Sequence, residues 1–332
     1  MKHLLTMAAF AAVAAVVLPV QPLHAQSTST GSVQAYPTRP VRYVVAFAAG
    51  DSPDIVARLV GDRLTRLWDQ QVVVENRTGA GGTIAGTFVA KSPPDGYTLF
   101  HCNIASNAIA LALYTKLPYD GRDFAPISRI GTTPNAIIVH PSLPVHTLQA
   151  FVAHAKANPG KISYGHGGVG ASPHLTMELF KSLAHMDVVH IAYKGASPAL
   201  ADLIGGQIPS MISNVPALLP YAHAGKIRPL AVTGPKRLPQ LPSVPTMIES
   251  GYPGFIVTSW YGLCAPAGTP TPILDKVHAD LVKVLQMPDL VQRFADMVVE
   301  AAPQSRDEFS AFIRAEATRW AQVVKDAGIP AQ

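Results

Sequence analysis

The sequence has few of the residues that build disulfide frameworks or metal sites. Two cysteines, Cys102 and Cys264, in 332 residues are too few for a disulfide framework. Twelve histidines are present, but no HExxH motif occurs, and His185 and His190 are five residues apart rather than the four of that motif. Both cysteines lie in apolar, strand-like runs. We therefore expect buried thiols and no metal site.

Clusters of charge are also missing. Charged residues make up 14% of the chain, and the formal net charge of +5 comes from basic residues that are scattered rather than grouped. Without basic runs or interleaved aromatic residues, the sequence has no surface typical of nucleic-acid binding. A mild positive potential suits a small anion better. Beyond the first 25 residues, no apolar run is long enough to span a membrane.

Recognisable catalytic motifs are absent as well. Both Gly-Lys pairs are followed by isoleucine, which excludes a Walker A motif, and no GxSxG motif occurs. Residues 165–170 match GxGxxG, but the nearest acidic residue, Asp187, precedes the next strand instead of ending it. We therefore expect no enzyme and no cofactor. A loop of backbone amides that binds an anion fits this stretch better.

The amino terminus has the features of a secretory signal. Lys2 precedes an apolar run at residues 4–20, and Ala25 is a small residue at the expected cut. We expect residues 1–25 to be removed from an exported protein. Leu23 is an imperfect residue for the position three before the cut, so an uncleaved anchor is the alternative.

Two similar strand-turn-helix units stand out in the remaining chain. In residues 41–67 an apolar run leads into a glycine-bearing loop and a helix, which we expect Ser52 to cap with Pro53 in its first turn. Residues 161–183 repeat the pattern with Ser172 and Pro173. Unpaired N–H groups at such helix starts attract anions. One unit alone is typical of any α/β protein, but two could hold one anion between them.

The alternation of strands and helices predicts an α/β protein with two domains. We assign residues 26–124 and 255–332 to domain 1 and residues 125–254 to domain 2. A chain that leaves a domain and returns to it crosses twice between domains. Two crossings make a hinge.

Many segments of the mature chain together resemble the Bug-type receptors of tripartite tricarboxylate transporters, in the order of that family. They include FAAGDSPDIVARL, NRTGAGGTIAG, PPDGYTL, ANPGKISYG, GGVGASPHLTMELF, HIAYKGASPALADLIGGQI, LAVTGPKRLPQLPSVPTMIESG and SWYGLCAPAGTP. The resemblance implies a type II periplasmic binding protein (Venus-flytrap) fold. It implies a periplasmic protein that binds a small carboxylate and presents it to a membrane permease. We expect this protein to be a monomer.

The family's two carboxylate loops correspond to residues 47–54 and 167–174, which include the two turns found above. With further positions, they give the predicted ligand-binding residues. These are Phe47, Ala49, Gly50, Asp51, Asp54, Ser106, Gly167, Gly168, Gly170, Ala171, Ser172, His174, Tyr193, Ser213 and Asn214.

The chain departs from the family pattern at two places. Where the family usually has PFAAGGxxD, this sequence has Ala46 and Asp51, and where it usually has Phe-Asp-Asn, it has Ile-Ser213-Asn. The aspartate missing at Ser213 makes ordinary amino-acid ligands less expected. Asp51 either points into the cleft as a carboxylate, which we favour, or caps the helix beside Ser52 and Asp54.

The resemblance also bears on the cysteines. It implies that residues 97–102 and 255–264 are antiparallel neighbours, with Cys102 at the ligand end and Cys264 at the far end. We therefore expect both thiols to stay reduced, even in an oxidising compartment, because they lie too far apart.

Two other functions fit parts of the sequence. An exported ligand sensor of the same fold is the main alternative, and a neighbouring gene for a sensor kinase rather than a permease would favour it. An exported oxidoreductase is the third, and nucleotide bound to the purified protein would favour it.

Overall fold

A ten-stranded sheet forms the centre of the computed structural model, which describes residues 36–332. The predicted signal at residues 1–25 lies outside the described residues. The strands follow the order β2-β1-β3-β9-β4-β7-β5-β6, and β8 and β10 also pair with β4. Their bounds are β1 Val41–Val45, β2 Val72–Asn76, β3 Thr98–Phe100, β4 Phe124–Val139, β5 Ser163–His166, β6 Val189–Ala192, β7 Ser210–Asn214, β8 Arg228–Val232, β9 Thr258–Pro266 and β10 Glu300–Ala301.

Helices alternate with the strands, which confirms the predicted α/β class. They are α1 Ser52–Trp68, α2 Thr83–Ala90, α3 Ala110–Leu113, α4 Leu148–Ala157, α5 Ser172–Ala184, α6 Ala196–Ile204, α7 Val215–His223, α8 Thr271–Leu285, α9 Pro288–Asp296 and α10 Arg306–Asp326. No helix within residues 36–332 is long and apolar enough to cross a membrane.

Strand β4 lies in the middle of the sheet and joins its two halves. Its residues 124–134 pair antiparallel with β9, and its residues 135–139 pair antiparallel with β7. On one side, β1 runs parallel to β2 and β3; on the other, β5 runs parallel to β6 and β7. Because parallel strands end at a common edge, the loops after β1 and β5 each open at the carboxyl end of such a set, where ligands bind in α/β proteins.

Helix α1 packs on the sheet through the apolar stripe that its sequence predicts. Val56, Val60 and Leu64 are fully buried and share a core with Tyr43 and Val45 of β1. Burying an aliphatic side chain of this size stabilises the fold by about 1.5–3 kcal/mol. This packing fixes the start of α1 at the carboxyl end of β1.

The prediction of two reduced cysteines is wrong, because Cys102 and Cys264 form a disulfide. The strands are antiparallel neighbours, but their register places Cys264 opposite Phe100, only two residues from Cys102. Side chains two residues apart along a strand lie on the same face. The two Cα atoms are therefore 5.8 Å apart, within the range that a disulfide spans.

Candidate functional site

The starts of four helices converge on one cavity. Ser52 and Pro53 of α1, Ser172 and Pro173 of α5, and Ala196 of α6 line it, and it also reaches Asn214, the residue before α7. Each helix start carries N–H groups without an intrahelical partner and the positive end of a helix dipole. The cavity therefore favours negative charge.

The starts of α1 and α5 are open to a ligand. Neither helix has a side-chain cap, although the sequence predicted Ser52 and Ser172 as caps. The Ser52 hydroxyl instead accepts a hydrogen bond from the N–H of Ala217 in α7, at 3.2 Å. The Ser172 hydroxyl accepts one from the Ser259 hydroxyl of β9, at 2.9 Å. Both serines are thus turned away from their own helices, which leaves those first-turn N–H groups uncapped.

Helix α6 is capped by a residue from the loop before α1. The Asp51 carboxylate accepts hydrogen bonds from the N–H of Ala196 at 2.9 Å and of Ser197 at 2.7 Å. The Ser197 hydroxyl donates a third, at 2.6 Å. Burial raises the pKa of Asp51, and these hydrogen bonds partly oppose the rise. We favoured a carboxylate that points into the cleft, and Asp51 does line the cavity, but its carboxylate is hydrogen-bonded to Ala196 and Ser197. The alternative, in which Asp51 caps α1, is wrong, because its side chain makes no capping hydrogen bond to that helix.

A network of neutral polar groups forms another wall of the cavity. The Asn214 side-chain amide donates to Asn135 Oδ1 at 2.6 Å and to Ser259 Oγ at 2.7 Å. The Tyr261 hydroxyl, in contrast, is buried beside the Ser52 side chain and makes no hydrogen bond of good geometry among the described residues. Burial holds the pKa of Tyr261 well above its usual value, so this hydroxyl keeps its proton and is an available donor inside the cavity.

Side chains contribute no positive charge to this lining. Within the part of the chain that the structure describes, no lysine, arginine or histidine lines the cavity, and Asp51 is its one acidic residue. The attraction for an anion therefore comes from backbone N–H groups and helix dipoles.

Comparison with known proteins gives the family of this chain. Residues 56–329 match TctC, the tripartite tricarboxylate transporter family receptor. The chain belongs to this family. The fold is similar to the periplasmic binding protein BugD, with 36% identity, a TM-score of 0.87 and coverage of 90% of this chain and all of that one. The predicted resemblance and the periplasmic binding protein fold are thereby confirmed.

Two solved structures of similar proteins contain ligands. R. palustris Rpa4515 with adipate is 36% identical, with a TM-score of 0.87 over 90% of this chain and 100% of its own. MatC (Rpa3494) from Rhodopseudomonas palustris with bound malate is 31% identical, with a TM-score of 0.83 over 87% of this chain and 100% of its own.

The structure brings part of the predicted ligand set into the cavity of this TctC-family receptor. The predicted residues in its lining are Phe47, Asp51, Gly167, Ala171, Ser172, Ser213 and Asn214. Gly168 and Tyr193 line an adjoining cavity, which shares Phe47 and Gly167 with the first.

The other predicted residues lie behind or beside the lining. The carbonyl of Ala49 accepts a hydrogen bond from the Ser197 hydroxyl, and the N–H of Gly50 donates to Asp54. Asp54 also pairs with Arg58, so its carboxylate is occupied. The remaining three are placed by their own contacts: the Ser106 hydroxyl donates to Asn107 Oδ1, and the Gly170 N–H donates to His174 Nδ1.

The sequence analysis missed several residues of the lining. Six lie outside both predicted loops: Asn103, Ile104, Ala105, Ala196, Ser259 and Tyr261. Ser52, Pro53 and Pro173 lie within those loops but are not among the predicted ligand-binding residues. Ser259 and Tyr261 sit two apart in β9 and so share one face, and polar residues at alternate positions of a buried strand are a signal that could have found them. Helix α7 was also missed, although Pro216 in its first turn marks a helix start.

Three histidines form a cluster behind the loop before α5. One ring nitrogen of each of His166, His174 and His190 lies within 4.8 Å of the other two. His166 Nδ1 accepts from the Gly168 N–H at 3.2 Å, and His174 Nδ1 accepts from the Gly170 N–H at 3.3 Å. Burial lowers the pKa of His166 to about 2 and of His174 to about 4, so both rings are neutral.

These hydrogen bonds show whether the histidine cluster is suited to bind a metal ion or to hold the loop before α5. Since Nδ1 accepts in both His166 and His174, the proton of each neutral ring belongs on Nε2. A metal on Nε2 would require a proton on Nδ1, directly facing a backbone donor. Metal-binding histidines instead donate their second N–H to a carbonyl or carboxylate. The two buried histidines therefore fit a role in holding residues 167–174 in place.

Proposed function

We propose that this receptor is a periplasmic solute-binding protein that captures a small carboxylate and delivers it to the membrane permease of a tripartite tricarboxylate transporter. The observation that carries the proposal is the pair of uncapped helix starts, of α1 and α5, that line one cavity. We further propose that the cavity is the cleft between two domains, since α1 belongs to the residues assigned to domain 1 and α5 to those assigned to domain 2.

A carboxylate suits this cavity for a physical reason. Each helix start is equivalent to roughly half a positive charge, and a carboxylate accepts hydrogen bonds at both oxygens. One oxygen can face the first turn of α1 and the other the first turn of α5. The unpaired Tyr261 hydroxyl adds a neutral donor that a bound anion would satisfy.

Two further observations support export and the ligand class. The Cys102–Cys264 disulfide is typical of an oxidising compartment such as the periplasm, and residues 1–25 have the pattern of a secretory signal. The adipate and malate bound to the two similar proteins are both small carboxylates.

Thermal unfolding with a panel of mono-, di- and tricarboxylates tests the proposal. A ligand at a hundredfold excess over its Kd adds about 2.7 kcal/mol to the folded state, which for about 300 residues raises the Tm by about 4 °C. The amide of each acid is the matched control, because it keeps the shape without the charge. We expect at least one acid to raise the Tm while its amide does not. No shift with any acid, or equal shifts with acids and amides, would contradict carboxylate capture.

A further inference from the structure

The structure assigns to Asp51 the role of a built-in carboxylate that fills the anion-binding start of α6 and thereby selects ligands with a single carboxylate group. This inference rests on the proposed carboxylate site at α1 and α5. It concerns the other end of the ligand.

The start of α6 is already fully used. Asp51 receives two backbone N–H groups and one hydroxyl from Ala196 and Ser197, at 2.6–2.9 Å, through both of its oxygens. Its side chain belongs to a residue that is only 2% exposed. A negative group from a ligand could take this position only by displacing Asp51.

The backbone at Gly195 is shaped for this contact. Gly195, directly before α6, has a φ of +123°, which residues with a side chain rarely adopt. A Cβ built there would lie 2.5 Å from the Ala48 Cβ and 3.0 Å from Asp51 Oδ2. The absence of a side chain at Gly195 thus allows the loop before α1 to dock on the start of α6.

The rest of the cavity lining offers no charged partner to a second carboxylate. Once one carboxylate occupies the starts of α1 and α5, the side chains left in the cavity are neutral, such as Asn103, Ile104 and Ser259. At the start of α7, the Ala217 N–H already donates to Ser52, and the Asn214 amide already donates to Asn135 and Ser259. In the residues covered by the structure, no basic side chain lines this space, and Asp51 adds a negative charge to its wall. A second carboxylate would therefore lose its water without gaining a charged partner. An uncharged polar or apolar group would not meet this penalty.

Paired ligands that differ in one charge test the inference. We would measure the Kd of succinate, adipate and terephthalate, each against its monoamide, by calorimetry on the full mature protein. The wild type is expected to bind the monoamide at least tenfold more tightly than the diacid of the same scaffold. Tighter binding of every diacid would overturn the inference and leave carboxylate capture intact. Failure of both members of all three pairs to bind would overturn the inference and count against the proposed function.

The Asp51→Ala variant tests whether Asp51 selects against a second ligand carboxylate or only holds the loop before α1 against the start of α6. It frees the N–H groups of Ala196 and Ser197, so the ratio of diacid to monoamide affinity should rise at least tenfold. The matched control is Ser197→Ala, which removes one hydroxyl but leaves the Asp51 carboxylate on both N–H groups, and its ratio should stay at the wild-type value. If Asp51→Ala changes both affinities in parallel, the contact only holds the loops together, and the inference is wrong.

Asp51→Asn provides a second variant in case the alanine variant does not fold. The amide keeps the size of the side chain and removes its charge, so the affinity ratio should shift in the same direction by a smaller factor. An unchanged ratio in a variant that melts as the wild type does would also overturn the inference.

Discussion

Replacing both cysteines with alanine should lower the free energy of unfolding by about 5 kcal/mol in the chain-entropy account of disulfide stabilisation. The Cys102–Cys264 bond closes a loop with a sequence separation of 162 residues, and a loop of this length restricts the unfolded chain strongly. For about 300 residues, this corresponds to a fall in Tm of about 8 °C. Urea unfolding of the wild type and the double variant measures the difference directly.

A reduced wild-type sample is the control for this change. It lacks the cross-link but keeps both sulfur atoms in the core, so its loss of stability isolates the effect of the bond from that of the cavity. Thiol titration in denaturant should find no free thiol before reduction and two afterwards. Two free thiols in the unreduced protein, or equal stabilities of all three samples, would contradict the expected cross-link.

Replacing Gly168 with valine should abolish the ligand-induced rise in Tm and leave the protein folded. Gly168 has a φ of +127°, a backbone conformation that a valine cannot adopt without strain. Its N–H donates to His166 Nδ1, and its carbonyl accepts from the N–H of Ala171, directly before α5. A strained residue there displaces the start of α5, which we propose as half of the carboxylate site.

The strain itself should destabilise the folded state by about 1–3 kcal/mol. A domain with a typical stability of about 5–15 kcal/mol survives this loss. Gly251→Val is the matched control, since Gly251 also has a positive φ, +96°, and open space around its Cβ position, and is not in the cavity lining. It should lose similar stability but keep the full ligand response. A normal ligand response in Gly168→Val would show that this loop does not hold the ligand.

The sequence predicted the two helix starts that make the cavity, because their signals are local. A small or glycine-rich loop followed by Ser-Pro can be read within a few residues at Ser52 and again at Ser172. The partners of these serines could not be predicted in the same way. The Ser52 hydroxyl bonds Ala217, and the Ser172 hydroxyl bonds Ser259, across separations that only the folded chain brings together.

The contacts of Asp51 also could not be predicted, because they join residues that are far apart in the sequence. The sequence offered two local environments for its carboxylate, open cleft or its own helix start. The structure instead places it on Ala196 and Ser197, about 145 residues further along the chain. The prediction that the two cysteines stay reduced failed for a related reason, since a small error in strand register changes which residues face each other. The Cys102–Cys264 pair therefore could not be predicted from the neighbouring strands alone.

A crystal structure of the complex with the tightest-binding acid of the panel tests the central claim most directly. We predict that the ligand carboxylate lies about 3 Å from a first-turn N–H of α1, at Ser52 or Asp54, and from a first-turn N–H of α5, at Ser172 or His174. The Tyr261 hydroxyl should also donate to the ligand. A carboxylate bound elsewhere, for example between His174 and His190, with the starts of α1 and α5 facing only water, would contradict the account.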